Sequence, residues 1–181
     1  MADGFMQTLP QPEKLGAMTE ENLKAAFAGE SQASQKYLAF AAKADADGKP
    51  NAARLFRAAA FAESTHARNH LSALGGIGDV VANLDAAWGG EDFEITEMYP
   101  AYREVAKMQG NEQAVTSIRY AATAEQDHRA LYNQAKEQVT AGGDLASTPI
   151  RVCPICGHTV QGDAPDECPV CGTAGQYFRE F

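Results

Sequence analysis

One nine-residue stretch occurs twice in this chain. Asn22-Leu-Lys-Ala-Ala-Phe-Ala-Gly-Glu30 returns as Asn83-Leu-Asp-Ala-Ala-Trp-Gly-Gly-Glu91, with six of nine positions identical and an aromatic residue at the sixth in both. Each copy is followed, at nearly equal distance, by a Glu-x-x-His: Glu63 and His66 after the first, Glu125 and His128 after the second. Glu and His three apart on a helix lie on one face and can reach one site. A lone Glu-x-x-His is ordinary on a solvated helix. Two of them at matching offsets from two copies of a Glu-bearing motif are not. The chain therefore reads as a duplicated unit, helix with Glu and then helix with Glu-x-x-His. That is the ligand set of a carboxylate-bridged pair of iron or manganese ions inside a four-helix bundle.

The local signals agree with four helices. Thr19 followed by Glu20 and Glu21 predicts a capped first turn and a helix over about 20–46, stopped by Asp47-Gly48. Pro50 suits the first turn of a second helix running to about Leu74. Gly75-Gly76-Ile77-Gly78-Asp79 breaks it, and the repeat places the third start near Val80–Asn83 with Asp79 as cap. Pro100 predicts a kink or split in that helix, which Gly110-Asn111 ends. A fourth helix follows over about 112–140. Residues 144–149 read as a linker, and from Ile150 the texture changes to Cys, Pro and Gly. The expected organisation is a tail over 1–18, a bundle over 19–143, the linker, and a small domain over 150–181. The tail has no signal-peptide pattern and suggests no function.

Within the bundle, Glu30 and Glu91 read as terminal carboxylates, Glu63 and Glu125 as bridges, and His66 and His128 as imidazoles capping one metal each. Glu94 breaks the symmetry, because the position matching it after Glu30 is Ala33. Tyr37 and Tyr99 lie near the level of the carboxylates; they are either core or phenols that hydrogen-bond them and donate protons. Phe27, Phe61, Trp88 and Leu131 read as core. His70 reads as a flanking residue, not a ligand, and Asp92, Glu97 and Asp127 as solvated charges or supports for ligands.

All four cysteines sit in two Cys-Pro-x-Cys-Gly knuckles, Cys153/Cys156 and Cys168/Cys171. Four thiolates on tight turns make a tetrahedral site for zinc or iron. Alone the module reads as a zinc ribbon; beside a two-metal bundle iron gains, because iron passes single electrons and zinc does not. Cys pairs in a chain without a signal pattern point to a reducing compartment, so a cytoplasmic location is expected. Net charge is −9, which argues against nucleic acid or an anionic membrane surface as partner, and no apolar run is long enough to span a bilayer.

With these motifs in place the chain resembles the rubrerythrin family, a ferritin-like di-iron domain followed by a rubredoxin-like domain. Ala-Gly-Glu30-Ser-Gln-Ala with Tyr37, the Glu63/His66 pair, Glu91 through Glu94 to Met98-Tyr99-Pro100, Glu125/His128 and the four Cys carry the likeness. The resemblance implies that Glu30, Glu63, Glu91, Glu94, Glu125, His66 and His128 hold two irons and that Cys153, Cys156, Cys168 and Cys171 hold a third, with zinc as a substitute. It implies that His66 and Glu94 exchange on one iron with oxidation state, the carboxylate favouring ferric and the imidazole ferrous. It also implies that Tyr37 and Tyr99 hydrogen-bond ligand carboxylates.

The implied activity is reduction of hydrogen peroxide to water, with Tyr37, Tyr99 and Glu94 relaying protons. Electrons enter through the four-cysteine iron from an external reductase that uses a nicotinamide cofactor; no Gly-rich nucleotide motif occurs in this chain. The resemblance further implies transfer to the di-iron site of a neighbouring subunit, a route across the chain's own linker being long, and hence a homodimer. The short second-to-third helix connection raises a domain-swapped dimer, with the first two helices of one chain completing the site of the other. Its rival is an unwound stretch reaching Ala86 that lets one chain close its own bundle. Two other classes remain: a ferroxidase or iron-handling protein using oxygen, and a zinc-bearing interaction protein without activity.

Overall fold

The computed structural model describes residues 9–181. In chain order it contains α1 (Ala17–Ala46), α2 (Pro50–Ala73), α3 (Val80–Phe93), a π-helical turn (Glu94–Met98), α4 (Tyr99–Met108), α5 (Glu112–Thr140), β1 (Ile150–Val152), β2 (Thr159–Gln161), a 3-10 turn (Gly175–Tyr177) and β3 (Arg179–Glu180). No described helix is long and apolar enough to cross a membrane. The chain forms two compact units that part between Gly78 and Asp79.

In the first unit α1 and α2 run antiparallel around a seam of small residues. Ser34 and Ala41 on α1, and Ala53, Ala60 and Ala67 on α2, are buried at seven-residue intervals. A seven-residue repeat keeps one stripe facing the partner helix, and side chains this small let the backbones approach closely. Ser34 Oγ uses that closeness, donating to the carbonyl of Ala60 at 3.0 Å inside the seam. An alanine seam covers only one side of each helix. Leu38, Phe40, Leu55 and Phe61 are left largely exposed, Phe61 by 74%. The expectation that Phe61 is core therefore fails in this structure: its face of α2 has nothing within the two-helix unit to lie against. Trp88 in the second unit, 37% exposed, also falls short of a core position.

The helix starts differ at one end only. α1 begins at Ala17 with Gly16 as an uncapped N-cap, so Thr19 lies inside the helix and Glu20 stays in its first turn. Asp79 caps α3 as expected, accepting from the Ala82 N–H at 2.8 Å. Residues 1–8 of the expected tail lie outside the described residues. The rest of it packs on the end of α2: Leu9 is buried, Ser72 Oγ donates to the Pro10 carbonyl at 2.7 Å, and Pro12 lies against Gly75. Gly75 closes α2 with φ +71°, a conformation that favours glycine.

In the second unit α3 and α5 are antiparallel, registered by Lys136 on Asp85 and by Arg129 on Asp92 at 2.6 Å. The split expected at Pro100 appears one turn earlier, as the π-helical turn that carries Glu94: Pro100 has no N–H to offer the carbonyls of that turn, and the helix resumes as α4. After the linker, β2, β1 and β3 form an antiparallel sheet in that order, with Arg151 paired to both Val160 and Glu180. Cys153, Cys156 and Cys168 make the core of this module, with Tyr120 of α5, Val170 and Phe178 packed around them.

Candidate metal centres

Each unit brings together one copy of the duplicated ligand motif. In the first, Glu30 from α1 meets Glu63 and His66 from α2, with one donor atom of each within 4.8 Å of the others. His66 Nδ1 lies 2.9 Å from Glu63 Oε2. In the second, Glu91 from α3 meets Glu125 and His128 from α5 within the same limit. His128 Nδ1 lies 2.6 Å from Glu125 Oε2 and 3.8 Å from Glu91 Oε1. In both groups the Nδ1 edge of the imidazole faces the carboxylates. The antiparallel pairing explains this: residues equidistant from the two helix ends face each other, so one Glu lies opposite the Glu-x-x-His of its partner.

The second group is electrostatically uncomfortable without a cation. Burial, and then the charge of Glu125, raise the Glu91 carboxyl to about 7. Glu94 is raised as well, first by burial and then by Glu125, against the opposing effect of a hydrogen bond from Tyr99. Carboxylates crowded out of water favour either protons or a metal. The donors are hard oxygens plus one imidazole per group, which suits iron. The fit is therefore chemical as well as geometric.

Glu94 does not join the three-residue group; its carboxylate is engaged by the Tyr99 phenol. Tyr99 is pushed up to about 12 by burial and by the charges of Glu94 and Glu125, so it stays protonated and donates. Tyr37 is placed differently, against Phe40 and Phe56 with ring centroids 6.2 and 6.3 Å away. His70 belongs to neither group. Sequence reasoning missed Tyr132, whose phenol is raised by burial and by Glu91 and Glu125. Its signal was available, since it follows Glu125 by seven residues, as Tyr37 follows Glu30.

The four cysteines converge with their sulfurs inside 4.8 Å of one another, Cys153 to Cys171 and Cys156 to Cys168 both at 3.5 Å. Backbone N–H groups of the knuckles point at the sulfurs, from His158 to Cys156 and from Val170 and Cys171 to Cys168. Burial pushes the Cys156 thiol far up. At Cys171 burial also pushes upward, but hydrogen bonds from the Thr173 hydroxyl and N–H outweigh it and bring the thiol to about 6. Thiolates so supported bind a metal with release of protons.

This module lies on α5 of its own chain. Asp127 Oδ2 accepts from His158 Nδ1 at 2.6 Å and from the Thr159 N–H at 3.3 Å. Arg119 donates to the Val170 carbonyl at 3.2 Å, and Gly157 lies against Ala124. His128 Nε2 is 2.9 Å from Thr159 Oγ1. The expected distance across the linker therefore does not keep the module from its own chain's ligands. Asp127 is a docking residue here, not a solvated charge.

A family model described as Rubrerythrin matches residues 21–136, and one described as the rubredoxin-like domain of rubrerythrin matches 152–179. The chain belongs to the rubrerythrin family. It is 34% identical over 179 residues to Rubrerythrin-2 of Clostridium acetobutylicum, covering 91% of this chain and 97% of that protein. It is 36% identical to nigerythrin of Nitratidesulfovibrio vulgaris, over 90% of this chain and 86% of that one. Among solved structures, partially reduced nigerythrin superposes with a TM-score of 0.55 at 32% identity, covering all of this chain and 91% of that one. Fully reduced, all-ferrous nigerythrin gives 0.55 at 31% identity. The fold class is thus the ferritin-like all-α bundle with a small rubredoxin-like four-cysteine domain. Rubrerythrins are di-iron oxidoreductases of oxidative-stress protection, and the carboxylate–imidazole groups and four cysteines fit their di-iron and single-iron cofactors.

Proposed function

We propose that the chain is a hydrogen peroxide reductase in which Glu30, Glu63, His66, Glu91, Glu94, Glu125 and His128 hold the di-iron centre. When bound, that centre would supply the two electrons that O–O cleavage takes, and an iron held by Cys153, Cys156, Cys168 and Cys171 would supply one-electron exchange to replace them. The remaining work falls to side chains of this chain. Tyr99 keeps its proton and presents it through Glu94, the carboxylate next to the Glu91 group. The docked module excludes water from the outer edge of His128. The knuckle N–H groups stabilise the thiolates in both oxidation states. An external reductase, itself fed by a nicotinamide cofactor, supplies the module. The observation that carries the reading is a thiolate site packed onto the very helix that bears Glu125 and His128: an iron store needs no electron inlet there.

Stopped-flow oxidation of the anaerobically reduced protein tests it. Oxidation by peroxide should be much faster than oxidation by oxygen. The reverse order would make the protein a ferroxidase.

The proposed assembly is a homodimer in which two copies share each centre, α1 and α2 of one with α3–α5 of the other. The connection from Ala73 to Val80 supports this. Its six residues reach about 20 Å when extended. Parallel second and third helices, with ligands about ten residues from the joined ends, need a span of roughly 30 Å. The exposed Leu55 and Phe61 also point to an apolar face that a second copy covers.

A further inference from the structure

Thr159 belongs to the four-cysteine module, yet it touches a residue of the other centre. Its hydroxyl carries one proton, and that proton goes to the Gly157 carbonyl at 2.8 Å. Toward His128, 2.9 Å away, Thr159 Oγ1 can therefore only accept. The donor must be His128 Nε2–H. Nδ1 is thereby turned to Glu125 Oε2 at 2.6 Å and Glu91 Oε1 at 3.8 Å, the side on which a cation held by these carboxylates would take the place of the Nδ1–Glu125 contact. Thr159 is in turn held by its own N–H on Asp127, whose carboxylate also grips His158.

We propose that Thr159, clamped by Asp127, is a positioning residue that fixes His128 as an Nδ1 metal ligand, so that docking of the four-cysteine module completes the di-iron site. The redox inlet and the ligand geometry are then one device. A module that undocks both stops delivering electrons and releases the imidazole. A hydrogen bond to the outer nitrogen of a ligating imidazole fixes its tautomer and ring orientation, and losing it lowers metal affinity by roughly 10–100-fold. Arg119, Tyr120, Ala124, Asp127 and His128 form the face of α5 that receives the module, and all are on the same chain as Thr159.

The inference rests on the assignment of His128 as a ligand, not on the identity of the oxidant. It is tested by NMR and zinc titration of the full-length protein with its four-cysteine site already loaded. In the zinc-loaded wild type, the His128 Nε2–H should exchange slowly with solvent and correlate with Thr159. Thr159→Ser should preserve both the signal and the affinity of the carboxylate–imidazole site. Thr159→Val should lose the signal and bind zinc there roughly 10–100-fold more weakly. Asp127→Asn should speed exchange of the Thr159 amide. Weakened zinc binding in both His128→Ala and Thr159→Val supports the inference. Weakening in His128→Ala alone overturns it and leaves the ligand assignment standing; weakening in neither overturns both. A Thr159→Val chain that has lost the four-cysteine module's fold is recognised by its amide spectrum, and Thr159→Ser together with Asp127→Asn then decides.

Discussion

The phenol of Tyr99 donates to the carboxylate of Glu94, five residues earlier and across the π-helical turn. The bond holds Glu94 beside the Glu91 group, outside the three donors that lie closest together. It also gives Glu94 a proton source that stays loaded at any physiological pH. Tyr99→Phe should keep its metals and slow single-cycle oxidation by peroxide by about 100-fold, the low end of the range for loss of a positioned acid. Metal analysis and stopped-flow kinetics read the two effects separately.

Metal-free protein should become less stable as pH rises. The folded Glu91 carboxyl is raised to about 7 from an ordinary value of 4.5. A carboxyl raised in the folded state contributes its stability below the unfolded value and loses it as pH climbs through the folded one. The window is therefore about pH 4.5 to 7. The site is partly open to water, so screening leaves on the order of 1 kcal/mol, or about 2–4 °C in Tm for a chain of this size. Thermal scans of chelated protein at pH 5.5 and pH 8 measure it. Ferrous or zinc ions should reverse the order, since they bind the deprotonated carboxylates.

The alanine seam between α1 and α2 should tolerate little growth. Ala60 is 2% exposed and its carbonyl receives Ser34. Ala60→Leu should cost about 1–3 kcal/mol by overpacking, seen as a lower midpoint in urea. Phe61→Ser, next to it but exposed, should leave the folding of this helix pair nearly unchanged and weaken the dimer.

Shared centres make a complementation experiment possible. Glu30→Ala and Glu125→Ala should each abolish di-iron loading in homodimers. Co-expressed and mixed, they should recover about one loaded centre per heterodimer if α1–α2 of one chain complete α3–α5 of the other. A chain that closes its own bundle would recover none.

Cys171→Ser removes the thiol that the Thr173 hydroxyl and N–H hold below its usual range. Visible ferric–thiolate absorption and steady-state peroxide turnover should be lost. A single oxidation cycle of chemically reduced protein should persist, slowed only to the extent that the module loosens.

The four helices were legible because each carries its own punctuation. Asp79, the Pro50 start and the Gly-containing ends at 48, 75 and 110 are local signals, and the structure uses all of them. The duplicated motif was legible because a helix keeps its period, so residues three apart in sequence must share a face. Pro100 was legible too: the third helix is divided, and the division falls in the turn before the proline, at Glu94–Met98, where its missing N–H would have found its acceptor. Phe61 misled because an apolar residue between buried Ala60 and half-buried neighbours looks like core until the narrowness of the seam is known. Thr159 carried no signal at all, and Asp127 read only as a solvated charge or a support for ligands, with no partner in view. They are 32 residues apart, and only the lie of the module on α5 brings them together.

Gly157 sits at φ +82°, and a methyl group built on it would stand 3.4 Å from the Ala124 side chain. Knuckle and helix thus meet with no spacer between them, glycine against alanine. Anyone transplanting this electron-carrying cap onto another helical scaffold must bring that pair along. A bulkier residue at position 124 would prop the cap off its seat like a pebble under a lid, however well its four sulfurs still closed around iron.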